Sequence, residues 1–118
     1  MFFLGVYSKI EILYNPTNWN ELGLNSLGIS ISAIGYEKPS NIIGFPTGAY
    51  SYGCLITFNS LNSDVDEFRN VQIYIPHNSS TAGNINPIYV RTFKDYKNAS
   101  FSSIWRVITP SGMVDVQV

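Results

Sequence analysis

The chain is poor in the groups that carry most enzyme and metal chemistry. It has 118 residues, one cysteine and one histidine, and Lys, Arg, Asp and Glu together make up 13%. A lone Cys54 excludes an internal disulfide and any zinc site built from several thiolates. A lone His77 excludes a two-histidine metal site. The net charge of -1 leaves no basic patch for a phosphate backbone, so nucleic acid is not an expected partner. Apolar runs are strand-sized and none reaches membrane-spanning length, so membrane insertion is not expected either. The apolar N-terminus, Met1 to Tyr7, lacks a basic leader and a small-residue cleavage site, which argues against a signal peptide. No Gly-x-Ser-x-Gly elbow and no phosphate-cradling glycine loop is present. Glu11, Glu21, Glu37, Asp95 and Asp115 are scattered rather than paired. Enzymatic activity, metals and cofactors are therefore not expected.

What is abundant is uncharged polarity and apolar bulk. Hydrophobic residues make up 45% and aromatics 14%, and the polar positions are mostly Asn, Ser and Thr. Such a balance suits an extracellular β-protein, a subunit interface or a sugar-binding face, and composition does not choose among them. The length favours one domain with a core of its own.

Four segments are rich in β-branched and aromatic residues and bounded by turn formers: Tyr52–Phe58, Val71–Pro76, Ile88–Phe93 and Ser103–Ile108. Thr57, Gln72, Arg91 and Arg106 stand at alternate positions within them. That pattern predicts antiparallel strands with an apolar face against a core and the polar residues on the other side. Gly28–Ile34 alternates strictly, which predicts a strand whose apolar face is Ile29, Ile31 and Ala33. Cys54, in an apolar strand, reads as a small core residue. Met113–Val118 is a further candidate strand. Ile10, Ile12 and Tyr14 alternate with Glu11 and Leu13, which suggests an extended arm or strand over residues 1–14 ahead of a β domain over 15–118. Asn18 and Glu21 form a capping box for one short helical turn, closed by Gly23. Lys38–Asn41 reads as a loop, and the Gly- and Pro-rich stretch from Ile42 to Tyr52 as an irregular connection. The expectation is an all-β fold, a small antiparallel sheet or sandwich with one helical turn.

Candidate site residues fall into two groups. The polar loops 59–70, 77–87 and 94–102 separate the strands, and the first two carry Asp64, Asp66, His77, Asn78 and Asn84, whose donors and acceptors suit sugar hydroxyls. Asp64, Asp66 and Glu67 are also oxygen ligands in reach of one another in sequence, but no EF-hand pattern completes a calcium site. In the strands, Arg91 and Arg106 interrupt apolar runs, and Tyr89 shares a face with Arg91. Each arginine must lie exposed over its apolar neighbours, pair with a carboxylate, bond backbone carbonyls or face another subunit. Trp105, between Ile104 and Arg106, reads as a structural ring.

In order, Tyr-Gly-x-Leu-Ile-x-Phe at 52–58, Val-Gln-Ile-Tyr at 71–74, Tyr-Val-Arg at 89–91 and Trp-Arg-Val-Ile at 105–108 resemble the knob-like C-terminal domains of bacteriophage tail fibres, tailspikes and pyocin fibres. The likeness covers roughly residues 15–108. It implies a homotrimer at the distal end of a virion tail, joined to upstream fibre or tailspike domains. Its work would be trimerisation and recognition of a host surface glycan or protein, without catalysis. Two departures stand out: only a short arm precedes the domain, where the family carries a long fibre or lyase domain, and the 59–70 loop is long and acidic. The alternatives are a monomeric carbohydrate-binding module and, more remotely, a polysaccharide-degrading enzyme.

Overall fold

The computed structural model describes residues 8–22, 27–36, 39–59, 61–62, 67–68, 70–77, 87–95 and 100–118. It is all-β. The strands in chain order are β1 (Ser8–Tyr14), β2 (Leu27–Gly35), β3 (Tyr52–Asn59), β4 (Leu61–Asn62), β5 (Glu67–Phe68), β6 (Val71–Pro76), β7 (Ile88–Asp95), β8 (Ser100–Phe101), β9 (Ile104–Thr109) and β10 (Gly112–Gln117). Seven of them lie side by side as β1-β2-β3-β6-β7-β9-β10, and β8 adds to β7. From β2 onward every neighbouring pair is antiparallel.

Three expectations are corrected. The fold is one mixed sheet, neither purely antiparallel nor a sandwich, because β1 runs parallel to β2 along its whole length. A parallel neighbour needs a crossover rather than a hairpin. Here the crossover carries the expected helical turn, a short 3-10 helix at Trp19–Glu21 whose N-cap Asn18 accepts from the amide of Asn20 through its side chain at 3.1 Å. A second 3-10 turn, Pro39–Asn41, occupies part of the expected 38–41 loop. Residues 8–14 are thus an edge strand of the sheet. The expected loops at 59–70 and 94–102 are shorter than read: β4 and β5 pair as a small ribbon, and β8 pairs back onto the end of β7. Gly23 lies outside the described residues.

One face of the sheet is covered. The crossover and the 36–51 connection lie across it and bring Trp19, Ile42, Phe45 and Ala49 down onto Leu55, Tyr74, Tyr89, Trp105 and Val107. Trp19 is the hub. Its ring lies 5.3 Å from Phe45, 5.1 Å from Tyr74 and 6.1 Å from Trp105, in edge-on or tilted contacts. Such geometry adds to the large area each ring removes from water. Both indoles are fully buried, and both N–H groups are satisfied: Trp19 Nε1 donates to the Pro16 carbonyl at 3.1 Å, and Trp105 Nε1 to that of Gly44 at 2.9 Å. The two covering segments are stitched together by Trp19 N to Ile43 O and Ile43 N to Thr17 O, each 2.9 Å. Trp105 is a core residue, as read.

Candidate interaction surface

Cross-strand register sorts the side chains into two faces, and the sorting inverts the reading of the sequence. On the covered face, one row runs Glu11, Ser30, Thr57, Gln72, Arg91 across five adjacent strands. Ser30, Thr57, Gln72 and Arg91 are all buried. The polar alternate residues point into the core, and Ile29, Ile31 and Ala33 point away from it.

Burial of Thr57, Gln72 and Arg91 is offset in large part by hydrogen bonds among them, although Arg91 Nη2 is left without a partner. Gln72 Nε2 donates to Trp19 O at 2.7 Å and to Thr57 Oγ1 at 3.1 Å. Gln72 Oε1 accepts from Arg91 Nε at 2.8 Å. Arg91 also donates through Nη1 to Ser102 O at 3.1 Å, and its guanidinium lies over the rings of Phe101 and Trp105 at 4.8 and 4.6 Å. The rings and carbonyls stand where a carboxylate normally would. Burial pushes its pKa down, to about 9, so the group remains charged at neutral pH. Asn20 Oδ1 and Arg91 Nη2 both converge on the Cα of Gly44, where a Cβ would meet them at 2.7 and 2.8 Å. At φ +89° that position also favours glycine.

The predicted site residues are placed accordingly. Tyr89 and Arg91, expected at a subunit interface, are 6% and 3% exposed and belong to the core, so neither side chain is free to meet a partner. The reason is their register: Tyr89 pairs with Tyr74, and Arg91 with Gln72, both buried from above by Trp19 and the covering layer. Arg106, one position out of phase with Trp105, stands exposed on the uncovered face. His77 is exposed at the end of β6, beside two tyrosines. Its ring lies 5.4 Å from Tyr50 and 6.3 Å from Tyr52, and the two tyrosine rings are 5.7 Å apart. Asp64, Asp66, Asn78 and Asn84 lie outside the described residues. Cys54, read as core, is half-buried on the uncovered face. Among the described residues no group of three or more His, Cys, Asp or Glu side chains could hold a metal, and no helix is long and apolar enough to cross a membrane.

The uncovered face is apolar, in keeping with apolar residues on both faces of several strands, such as Ile73 beside Tyr74 and Ile104 beside Trp105. One row reads Ile12, Ile31, Ile56, Ile73, Val90. Beside it run Ile10, Ile29, Phe58, Val71 on one side and Tyr14, Ala33, Cys54, Ile75 on the other. Ile88, Ile108 and Met113 extend the apolar surface to β10. Exposure rises toward the β1 edge, with Ile10 at 71%, Ile12 at 57% and Tyr14 at 79%. Strands spaced about 4.8 Å apart make this face roughly 30 Å across. Isolated apolar residues on a surface mean little, but a contiguous apolar face marks an association surface. The signal available in the sequence was the low charge content, which a free-standing surface does not explain.

Searches against protein-family models, curated proteins and solved structures found no match to this chain.

Proposed function

We propose that this chain is a homotrimeric module of a phage tail fibre or tailspike, at the distal end of the virion tail, that assembles the fibre and recognises a host surface glycan or protein. The observation that carries the assembly half is the unbroken apolar face from β1 to β9. Among the described residues, the crossover and the connecting segments cover one side of the sheet and none covers the other. Further burial of a half-exposed isoleucine is worth on the order of 1 kcal/mol at about 25 cal/mol per Å². A dozen such positions are enough to drive association after its entropic costs. The number three comes from the resemblance of the Tyr-Gly, Val-Gln-Ile-Tyr, Tyr-Val-Arg and Trp-Arg-Val-Ile segments to fibre-tip domains.

The recognition half is supported by the exposed Tyr52 and His77 rings and the half-buried Tyr50 beside them at one end of the sheet. Aromatic rings with polar tips suit sugar rings. Three copies would present the cluster in triplicate, and avidity would then multiply weak contacts on a repetitive surface. The same cluster would serve the second reading, a monomeric carbohydrate-binding module.

Ile56→Glu places a carboxylate in the middle of the uncovered face. The expected product keeps its β circular-dichroism spectrum and sediments as a monomer, and its adsorption to host cells falls with the loss of avidity. A folded Ile56→Glu protein that still assembled would remove this face from the account. Tyr52→Ala is expected to weaken adsorption with assembly intact, and unchanged adsorption would move recognition elsewhere.

A further inference from the structure

The apolar rows explain why copies would adhere, but not how they would find one register. Isoleucine beside isoleucine looks much the same after a slide of one strand or two residues, so such a face specifies position weakly. The central row breaks this sameness at one end. After Val90 its next two members are Arg106 on β9 and Asp115 on β10. Both are exposed. They set two opposite charges side by side at the end of an otherwise apolar row. Although direct cross-strand partners, they make no ion pair with each other. A cleft of about 270 Å³ opens beside them between β7 and β9, floored by Val90 and Ile104.

Resting on the assembly reading above, we propose that Arg106 of one copy pairs with Asp115 of the next, and that this contact sets the register of the assembly. Unlike charges side by side form a self-complementary pattern. A rotation that lays one apolar face on another can bring each Arg106 to a neighbour's Asp115, whereas a slipped arrangement leaves both charges against isoleucine. Burying an unpaired charge there costs far more than a slipped apolar contact returns. The charges thus act mainly against wrong arrangements, as a polar residue does in an otherwise apolar coiled-coil seam. Arg106 also suits the role because its planar fork can accept a carboxylate in two parallel hydrogen bonds.

The test uses the whole chain and native mass spectrometry, which counts copies. Arg106→Glu and Asp115→Lys, each alone, are expected to raise the apparent dissociation constant roughly tenfold or more, with circular dichroism unchanged. The double variant is expected to assemble as the parent does. The deciding experiment mixes the two single variants carrying different mass tags. Contact between copies predicts mixed species in clear excess of the share that random mixing of the two chains would give. Weakened single variants whose mixture shows no such preference would place the pair within one chain and overturn the proposal. Single variants that assemble like the parent would overturn it too, and would leave the apolar assembly standing. A parent chain that stays monomeric would instead sink the assembly reading itself. Arg106→Gln and Asp115→Asn, which remove charge without reversal, are expected to weaken assembly less and to allow more than one stoichiometry.

Discussion

Arg91 shows how a residue can be recognised as unusual from sequence and still be assigned to the wrong side of a strand. A guanidinium inside Tyr89-Val90-Arg91-Thr92 implied an exposed charge, a carboxylate partner, bonds to backbone carbonyls or an interface, and the interface was the role assigned to it. It is instead the end of a buried polar row, held by Gln72 Oε1, Ser102 O and two aromatic rings. Those partners come from β6, β8, the β8–β9 junction and β9, and only the cross-strand register brings them together. Arg91→Lys keeps the charge and loses the fork, so Gln72 Oε1 and Ser102 O cannot both be reached. We expect a loss of about 2 kcal/mol in urea denaturation; an unchanged midpoint would mean that the ring contacts alone hold the cation.

Tyr74 gives a prediction in pH. Its hydroxyl donates to Tyr50 O, and its phenol is held well above the ordinary tyrosine value of 10.0, first by burial and then by neighbouring Tyr89. Burial raises Tyr89 as well. A raised value in the fold means that folding favours the protonated form. This contribution is complete below about pH 10 and is lost as pH rises further. Arg91, lowered by burial to about 9, works the other way: the cost of its buried charge fades above that pH. Comparison of the parent with Tyr74→Phe isolates the tyrosine. Denaturation midpoints from about pH 8 to pH 11 should fall less steeply in the variant. Parallel curves would show that Tyr74 ionises without opening the core.

At the scale of elements, the strands were legible and their orientation was not. β2, β3, β6, β7, β9 and β10 all lie within a residue or two of the segments marked by β-branched and aromatic runs. The capping box at Asn18 gave the crossover turn. Alternation alone, however, says only that two faces differ. It assigns the apolar one to the core by custom, and here Ser30, Ser32, Thr57 and Gln72 face the core. The parallel pairing of β1 left no local trace, since it depends on a crossover rather than a turn. Of the candidate site, Arg106 and His77 were correctly read as able to face outward, while Tyr89 and Arg91 were not.

Two measurements address the elements. Gly53 lies where β3 meets β6, and a Cβ there would fall 2.4 Å from Ile75 O and 2.6 Å from Pro76 Cα. Both are backbone atoms and cannot rotate away. Gly53→Ala is expected to cost about 1–3 kcal/mol as overpacking, and a thermally silent variant would contradict the closeness of that pair. In hydrogen exchange, the amides of β3 and β6, paired on both sides and under the Trp19 layer, should be slowest. β1 pairs with one neighbour only, so its outward amides should exchange fastest among the sheet strands. Equal protection of β1 and β3 would require a further strand on the β1 edge.

At the scale of the whole molecule, one asymmetry between the two faces of the sheet has one consequence. The chain covers one face of its sheet with Trp19, Ile42, Phe45 and Ala49, hides its polar row beneath them, and leaves the other face apolar from Ile12 to Val90. That arrangement is a poor end state for a single copy in water and a good one for copies packed together. The most direct test is the mass of the parent chain in solution, measured by light scattering on a size-exclusion column at micromolar concentration. One copy weighs 13.2 kDa, and the account predicts a species of three times that mass, persisting on dilution. A stable, well-dispersed species of 13.2 kDa would contradict it.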